Sequence, residues 1–348
     1  MSHGYRTVGW MPFKRRYDAL MLAGIAAYLA AFWAGSALAQ PEGQSFAPVQ
    51  ILIRATGTLG FLMLTGLLCI GPLSRLTPRF KPFLFNRRHL GVATFLVALT
   101  HAILVLVWYH GFGVLDPLVS LVVSNPRYGS LSGFPFEVLG LLALAILFVM
   151  AATSHDFWNA NLGPGVWKGL HMTVYLAYVA LVAHVALGAL QSETHPIYAG
   201  VLATGAALVA GLQWFTGYRA SGPDLHAASD ADWIKVGPAL RIPDKRAWVV
   251  EPAGAERIAV FRFDGQVAAV SNVCRHQGGP LGEGRVIDGC ITCPWHGYQY
   301  QPGDGCSPPP FSERIAVYPT RVERGVVFVR RHPLPLGTPM APTVIGPV

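Results

Sequence analysis

The segment CRHQGGPLGEGRVIDGCITCPWH, residues 274–296, decides how the C-terminal part of the chain folds. It contains a Cys-x-His pair, Cys274 and His276, and a Cys-x-x-His pair, Cys293 and His296, with sixteen residues between the pairs. Glycine and proline surround both pairs, which indicates that each pair lies in a turn. Two thiols and two imidazoles on two loops form a set of metal ligands.

Two kinds of metal centre use such a set. In a 2Fe-2S cluster with mixed ligation, two thiolates hold one iron and two imidazoles hold the other, which raises the reduction potential above that of an all-cysteine cluster. A tetrahedral Cys2His2 zinc site is the alternative, but the ligands of zinc-finger pairs are normally about two to four residues apart. The single residue between Cys274 and His276 therefore favours the iron–sulfur cluster.

Residues 233 to 331 resemble the Rieske domains of ferredoxins and ring-hydroxylating oxygenases, through these two loops and the GYQYQPGDGC that follows. The resemblance implies that Cys274 and Cys293 bind the buried iron of a Rieske 2Fe-2S cluster. It also implies that His276 and His296 bind the outer iron, near the surface. Short alternating strands between glycine, proline and Asp-Gly turns predict an all-β domain around the loops.

The chain departs from the Rieske proteins of respiratory complexes at three positions. Those proteins carry a disulfide-bonded cysteine in each loop, where this chain has Gly279 and Trp295. A serine that donates a hydrogen bond to their cluster is replaced by Tyr298, although Tyr300 keeps an aromatic hydroxyl two residues further on. Fewer hydrogen bonds to sulfur stabilise the reduced cluster less. We therefore expect a potential toward the low end of the Rieske range.

The composition of the whole chain indicates a membrane protein. Of its 348 residues, 52% are hydrophobic and 13% are charged, which is too apolar for a soluble protein of this length. Charged residues are sparse before residue 219 and reach ordinary density after it. The net charge of +8 comes from basic residues in short loops beside apolar runs, which indicates membrane topology and not nucleic-acid binding.

Apolar runs that are long enough to cross a bilayer predict six membrane-spanning helices. The predicted spans are residues 19–39, 54–75, 89–115, 129–154, 169–192 and 197–218. The first span ends in Ser36-Ala37-Leu38-Ala39-Gln40, which also reads as a signal-peptidase site, although its apolar run exceeds a signal-peptide core. The expected architecture is an all-α six-helix haem-binding membrane bundle (1–219), a flexible linker (220–232), an all-β Rieske domain (233–333) and an irregular proline-rich tail (334–348).

The distribution of basic residues predicts the orientation. Five of them lie in the loop of residues 74–88, whereas the loops at 40–50, 110–130 and 191–198 are poor in lysine and arginine. The positive-inside rule places the basic loop in the cytoplasm. With six spans, both termini and the Rieske domain are then expected on the cytoplasmic side of a bacterial inner membrane.

Histidines inside the predicted spans are candidate haem ligands, because ionisable residues in a membrane are costly and so usually functional. The third span carries His89 and His101, and the fifth carries His171 and His184. Bis-imidazole ligation of b-type haem needs facing pairs, and His101 faces His184 if the two parallel spans are level. Spacings of twelve and thirteen residues turn a straight helix by about 120° and about 220°. We therefore expect one haem on His101 and His184 and leave open a second on His89 and His171; the alternative is that all four are hydrogen-bonded core residues.

A second resemblance supports the haem reading. The stretches RRHLGVATFLVALTHA (87–102) and WKGLHMTVYLAYVALVAHV (167–185) resemble spans of the ferric-reductase-like membrane domain. They are similar to the haem-binding subunits of the bacterial methionine-sulfoxide reductase system and, more distantly, to NADPH oxidases. The resemblance implies haem ligation by His101, His171 and His184, whereas His89 matches no ligand of the bacterial subunit.

The combined pattern predicts a membrane-bound electron-transfer protein. No G-x-G-x-x-G follows a predicted strand, so a flavin- or nicotinamide-binding module is not expected, and no catalytic side-chain set or substrate pocket is evident. We expect single electrons to pass from a cytoplasmic donor such as a flavin reductase, through the cluster and haem, to an extracytoplasmic redox partner or quinone. The alternatives are electron flow from quinol to a cytoplasmic acceptor, and redox or haem sensing without turnover.

Overall fold

The computed structural model describes residues 12–39, 47–80, 83, 86–125, 127, 129–130, 133–154, 158, 162, 164–192, 195–220, 225–227, 232–276, 278–294, 297–309 and 311–346. These residues divide into two compact units, with the boundary between Trp214 and Phe215. The first unit is helical, and the second is built mainly from β-strands. The predicted order of an apolar helical region followed by a β domain is confirmed.

Nine α-helices make up the described part of the helical unit and its continuation to residue 220. They are α1 (Pro12–Leu38), α2 (Pro48–Leu76), α3 (Arg87–Val105), α4 (Pro117–Val123), α5 (Phe136–Ala152), α6 (Pro164–Met172), α7 (Val174–Leu187), α8 (Ala189–Ser192) and α9 (Pro196–Ala220). Among the described residues, five stretches are long and apolar enough to cross a membrane: Lys14–Leu38, Pro48–Ser74, Arg87–His110, Val166–Ser192 and Pro196–Tyr218. The fourth predicted span corresponds to the apolar helix α5, which is shorter at 17 residues because it begins only after Pro135.

Two of the predicted spans are interrupted. After α3 the chain continues as a π-helical turn, Leu106–His110, which is capped by Gly111. The helical part of the third span therefore ends before residue 115, where the prediction placed its end. The fifth span breaks at Thr173, whose hydroxyl and backbone N–H both donate to the carbonyl of Leu170. This break lies two residues after His171 and removes the straight-helix geometry on which the rotation argument depended.

The core of the helical unit lies between α2, α7 and α9. Leu64, Tyr178 and Leu202 are buried there. The Tyr178 ring stacks on Phe61 with ring centroids 6.0 Å apart, and its hydroxyl lies 3.0 Å from the hydroxyl of Thr65. A hydrogen-bonded hydroxyl pair in an apolar core fixes the register of α2 against α7, because an unpaired one would be costly.

The described residues of the β unit form three sheets built from twelve strands. The strands are β1 (Leu225–Ala227), β2 (Trp233–Pro238), β3 (Arg246–Pro252), β4 (Ile258–Phe263), β5 (Gln266–Ser271), β6 (Arg285–Ile287), β7 (Cys290–Thr292), β8 (Gln299–Tyr300), β9 (Val317–Tyr318), β10 (Thr320–Glu323), β11 (Val326–Arg330) and β12 (Thr343–Val344). The largest sheet has the order β1-β3-β4-β5-β12, with β9 also paired to β5, and the second has the order β10-β11-β2. The small antiparallel sheet β6-β7-β8 carries the second candidate metal loop.

Two segments are more ordered than their composition predicts. Part of the expected linker forms β1, which pairs in parallel with β3. The expected irregular tail adds β12 to the edge of β5, and the N–H groups of Met340 and Ile345 donate to the carbonyls of Gly303 and Gly265. The described part of the tail therefore contains one short strand within a stretch that has no other regular structure. Its two-residue strand is too short to produce an alternating pattern of apolar and polar residues. The strand is held by backbone hydrogen bonds, which the sequence does not show.

Candidate metal centres

The two cysteine loops of the β unit have the same backbone geometry. In the first loop, the N–H of Cys274 donates to the carbonyl of Gly279, and its carbonyl accepts from the N–H of Gly278. In the second loop, Cys293 donates to the carbonyl of Tyr298 and accepts from Gly297. The glycine four residues after each cysteine has a φ close to +70°, which side chains disfavour. The two loops therefore present their cysteines in equivalent ways.

Both cysteine side chains point into the core of the domain. Cys274 is 1% exposed and Cys293 is 3% exposed, and they share one hydrophobic cluster with Leu281 and Tyr300. No disulfide involves any of the five cysteines, all of which are described. Two buried thiols that lie in one cluster and come from two loops fit the inner iron of a 2Fe-2S cluster.

Tyr300 supplies a hydroxyl directly beside the first cysteine. Its Oη lies 3.4 Å from the Sγ of Cys274 and accepts a 3.0 Å hydrogen bond from the N–H of Arg275. Burial, followed by the neighbouring Cys274, raises the pKa of Tyr300. The phenol therefore keeps its proton, and its O–H can donate to the sulfur.

Tyr298, which replaces the serine of respiratory Rieske proteins, has a different role. Its ring stacks on His276 with centroids 4.8 Å apart and an angle of 9° between the planes. Its hydroxyl donates to Oε2 of Glu313 and not to a cysteine sulfur. Burial, together with the bond to Glu313, raises the pKa of Tyr298. Tyr298 thus supports a predicted ligand through its ring, whereas the hydroxyl of Tyr300 lies beside a cysteine sulfur.

The fourth predicted ligand, His296, and its neighbour Trp295 lie outside the described residues. Within the described part of the chain, no three histidine, cysteine or acidic side chains are grouped as a metal site. The fit of the β unit to the cluster therefore depends on the two buried thiols, the adjacent imidazole of His276 and the Tyr300 hydroxyl.

The outer histidine pair in the helical unit has the geometry of metal ligands. Nδ1 of His101 lies 2.9 Å from the carbonyl oxygen of Ile53, and Nδ1 of His184 lies 2.8 Å from that of Phe136. A carbonyl only accepts, so each Nδ1 carries the proton and each Nε2 keeps its lone pair. Haem-ligating and other metal-ligating histidines typically have this second hydrogen bond.

The inner pair is built differently. Nδ1 of His171 lies 3.0 Å from the carbonyl of Trp167, and its ring stacks on the Trp167 indole at 3.8 Å. Its Nε2 is buried. Nδ1 of His89 lies 2.6 Å from Oδ1 of Asp18 on α1.

Three further histidines, His110, His155 and His195, lie outside the two predicted pairs and were not predicted as haem ligands. His110 is buried, and its Nδ1 lies 3.0 Å from the hydroxyl of Ser120. His195 accepts from the N–H of Ile197 at the start of α9. His155 lies outside the described residues. Sequence reasoning missed the backbone carbonyls that bond to the histidines, and it also missed the carboxylates of Asp18 and Glu313. Nothing in a single sequence marks which carbonyl or carboxylate a distant histidine or tyrosine will meet.

Comparison with known families assigns both units. Residues 56–182 match the family described as ferric reductase like transmembrane component, and residues 232–319 match the Rieske 2Fe-2S domain family. The haem-binding subunit MsrQ of protein-methionine-sulfoxide reductase from Bordetella pertussis is 31% identical over 166 residues, which cover 47% of this chain and 72% of that protein. The chain belongs to the MsrQ family and also carries a Rieske domain. This MsrQ-family chain is therefore a multi-pass membrane redox protein, as predicted.

Relatives of the C-terminal unit come from a different group of proteins. The ferredoxin subunit of anthranilate 1,2-dioxygenase from Burkholderia cepacia is 38% identical over 105 residues, which cover 29% of this chain and 94% of the subunit. A solved complex of reduced oxygenase and oxidized ferredoxin in carbazole 1,9a-dioxygenase contains a chain that is 27% identical, with a TM-score of 0.28, covering 30% of this chain and 96% of that one. The predicted fusion of a ferric-reductase-like membrane domain with a ferredoxin-type Rieske domain is confirmed.

Proposed function

We propose that this protein passes single electrons between a Rieske 2Fe-2S cluster in the β unit and b-type haem in the membrane unit. The observation that carries the proposal is the outer histidine pair, in which two imidazoles from α3 and α7 each donate Nδ1–H to a carbonyl and keep Nε2 for a metal. One-electron reduction and oxidation are the chemistry that a bound cluster and haem supply. Residues of this chain hold and tune both centres.

In the membrane unit, His101 and His184 hold one haem through their Nε2 atoms. The membrane relatives are named as haem-binding subunits, and an uncharged bis-imidazole site suits the apolar bundle because it adds no charged ligand to the bilayer. The carbonyls of Ile53 and Phe136 fix each ring and increase the basicity of Nε2. The hydrogen bonds thus place both ligands before any haem arrives.

A second haem on His89 and His171 has weaker support. The Nε2 of His171 is buried, and its Nδ1 bonds to a backbone carbonyl, as in the outer pair. The Nδ1 of His89, however, meets a carboxylate on α1 and not a carbonyl. We therefore assign one haem to the outer pair and treat His171 as the ligand candidate for a second.

In the β unit, Cys274 and Cys293 hold the inner iron, while His276 and His296 hold the outer iron. Tyr300 donates to the sulfur of Cys274 and stabilises the added charge of the reduced state. Tyr298 directs its hydroxyl to Glu313 and so does not supply the sulfur bond that the serine supplies in respiratory Rieske proteins. A low potential follows and makes transfer from the cluster toward haem downhill.

We place the β unit on the cytoplasmic side of a bacterial inner membrane, with the membrane domain ending near residue 219. The basic loop of residues 74–88 lies between α2 and α3 and marks the cytoplasmic face. Electrons then enter from a cytoplasmic flavin-containing reductase and leave toward an extracytoplasmic redox partner. A reporter fused after Val348 should behave as cytoplasmic, and one inserted near Pro117 as extracytoplasmic; the reverse pattern would contradict the orientation.

The experiment that tests the proposal is a reductive titration of the purified full-length protein, followed by optical absorption and electron spin resonance. We expect one low-spin haem and one mixed-ligand 2Fe-2S signal per chain, with the haem accepting electrons at the higher potential. Stoichiometric zinc without a cluster signal, or a protein without haem, would contradict it. His276→Ala should remove the cluster signal and leave the haem, because the two centres have separate ligands.

Flow in the opposite direction, from quinol to a cytoplasmic acceptor, is favoured by one observation. Glu137 follows Phe136, whose carbonyl holds His184, and Glu137 accepts a 2.8 Å bond from Asn125. Its Oε2 is buried, and none of the described side chains bonds to it. A carboxylate in this place could take a proton from a quinol beside the outer haem. Haem reduction by a quinol analogue that Glu137→Gln slows, with an unaltered haem spectrum, would support this direction.

A further inference from the structure

We propose that Gly57 and Gly140 are positioning residues that form two matched notches for the imidazoles of His101 and His184. A notch here means a backbone carbonyl together with the glycine four residues after it on the same helix. The inference rests on the proposed haem ligation and adds a part of the site that the ligands alone do not define. It predicts that two glycines on α2 and α5 set the orientation of ligands on α3 and α7.

The first notch lies on α2. The carbonyl of Ile53 accepts from Nδ1 of His101 at 2.9 Å. A Cβ on Gly57 would lie 2.9 Å from Cε1 and 3.1 Å from Nδ1 of the same ring. Since residues four apart lie on one face of a helix, the imidazole edge lies over the bare backbone of Gly57 while it bonds to the carbonyl one turn earlier. A methyl group at residue 57 would occupy the space of the ring.

The second notch repeats the first on α5. The carbonyl of Phe136 accepts from Nδ1 of His184 at 2.8 Å. A Cβ on Gly140 would lie 2.8 Å from both Cε1 and Nδ1 of that ring. Both distances are shorter than real side chains show, and the colliding atoms belong to the ring of a hydrogen-bonded imidazole. The contact therefore cannot be relieved without moving the ligand.

The spacing of the two notches is identical along the chain. Each histidine follows its carbonyl partner by 48 residues, and each glycine follows that carbonyl by four. The whole pattern of carbonyl, glycine and histidine recurs with an offset of 83 residues. Helices α2 with α3 and α5 with α7 thus form two equivalent ligand-holding pairs. Such equivalence favours a single haem held between α3 and α7.

The inner histidines do not follow this repeat. The residue 83 positions after His89 is Met172, and the residue 83 positions before His171 is Arg88. Their hydrogen-bond partners also differ in kind, a carboxylate for His89 and the carbonyl of Trp167 for His171. The outer pair therefore differs from the inner pair in its sequence repeat and in its hydrogen-bond partners.

Small residues also occur in membrane helices simply to allow close packing. Other glycines of α2 provide the comparison, because they lie in the same helix without touching an imidazole. A Cβ on Gly60 would have Val97 as its nearest neighbour at 3.9 Å, and a Cβ on Gly66 would meet nothing within 4 Å. Gly60→Ala and Gly66→Ala are therefore matched controls, since alanine is the better helix former in all these places.

The test uses the full-length protein, purified with its cofactors, carrying Gly57→Ala, Gly140→Ala or one of the two controls. We expect both notch variants to shift the low-spin haem resonance and to weaken haem retention by about 10- to 100-fold, the usual effect of losing an outer hydrogen bond. Part of the haem should become high-spin, and added imidazole should restore the low-spin spectrum. The controls should match the unaltered protein, and the Rieske signal of the same chain should persist in all four.

Unaltered haem resonances in Gly57→Ala and Gly140→Ala, with haem present, would overturn the notch assignment and leave the proposed function intact. Equal effects in the Gly60→Ala or Gly66→Ala controls would reduce the two glycines to general packing residues. An unaltered parent protein without haem would instead overturn the proposed function. A variant that has lost haem and does not respond to imidazole would also contradict the assignment, because its bundle has then collapsed and its ligands have not merely reoriented.

Discussion

Replacement of Tyr300 by phenylalanine should lower the reduction potential of the cluster. The substitution keeps the buried ring and removes only the hydroxyl, which lies 3.4 Å from the sulfur of Cys274 and 3.0 Å from the N–H of Arg275. The O–H donates to sulfur in both oxidation states, but it contributes more to the reduced state, which carries one more negative charge. Loss of the bond therefore penalises reduction.

The magnitude follows from the difference between hydrogen bonds to charged and neutral acceptors. A bond to a charged group contributes about 1.5–3 kcal/mol, against about 0.5–1.5 kcal/mol for a neutral one. The extra charge of the reduced cluster thus strengthens the Tyr300 bond by about 1–1.5 kcal/mol. Since about 59 mV corresponds to a tenfold change for one electron, the potential should fall by about 40–65 mV.

The assay is a redox titration of the cluster signal by electron spin resonance, with Tyr298→Phe as the control. Tyr298 directs its hydroxyl to Glu313 and keeps its ring stacked on His276 after the substitution. Its potential should therefore change by less than half as much. An unchanged potential in Tyr300→Phe, or a larger fall in Tyr298→Phe, would refute the assignment of Tyr300 as the sulfur donor.

Three further outcomes are expected. Gly305→Ala should lower the free energy of unfolding of the β unit by about 3 kcal/mol or more, because Gly305 has a φ of +70° and an added Cβ would lie 2.1 Å from the carbonyl oxygen of Ile315. Gly289 has a φ of +76°, but an added Cβ would meet open space, so Gly289→Ala should lower the free energy of unfolding by only about 1–2 kcal/mol. Truncation after Pro333 should lower the midpoint of thermal unfolding by about 10–20 °C, since it deletes β12 and several backbone hydrogen bonds of about 1 kcal/mol each. The cluster signal should remain. An unchanged midpoint would show that the tail does not stabilise the β unit. His101→Ala should remove the low-spin haem spectrum and leave the cluster signal, and a retained haem spectrum would exclude the outer pair as its ligands.

Residue identity and spacing were sufficient to predict the fold class and both cofactors. The Cys-x-His and Cys-x-x-His pairs limit the chemistry because few centres use two thiols and two imidazoles, and apolar runs identify spans because water is excluded from the bilayer. The sequence did not reveal that Ile53 and Phe136 hold the outer histidines. Those contacts use backbone carbonyls, which every residue has. The bond between His89 and Asp18 was hidden for a related reason, since it joins α1 to α3 through tertiary packing.

The tail and the broken fifth span illustrate a second limit of sequence patterns. β12 is only two residues long, so its pairing with β5 leaves no periodic signal. The break at Thr173 depends on a local hydroxyl-to-carbonyl bond to Leu170, in a stretch whose composition is that of a continuous apolar helix. Propensity predicts the helix there, and only the packed structure determines where it bends.

The most direct test of electron transfer between the two centres is stopped-flow absorption of the full-length protein mixed with NADH and a flavin-containing ferredoxin reductase. If electrons enter at the Rieske domain, the cluster should be reduced before the haem. Cys293→Ala should then leave a haem that dithionite still reduces but the reductase does not. Haem reduction that precedes cluster reduction, or that proceeds at the unaltered rate in Cys293→Ala, would show that electrons reach the haem without passing through the Rieske domain.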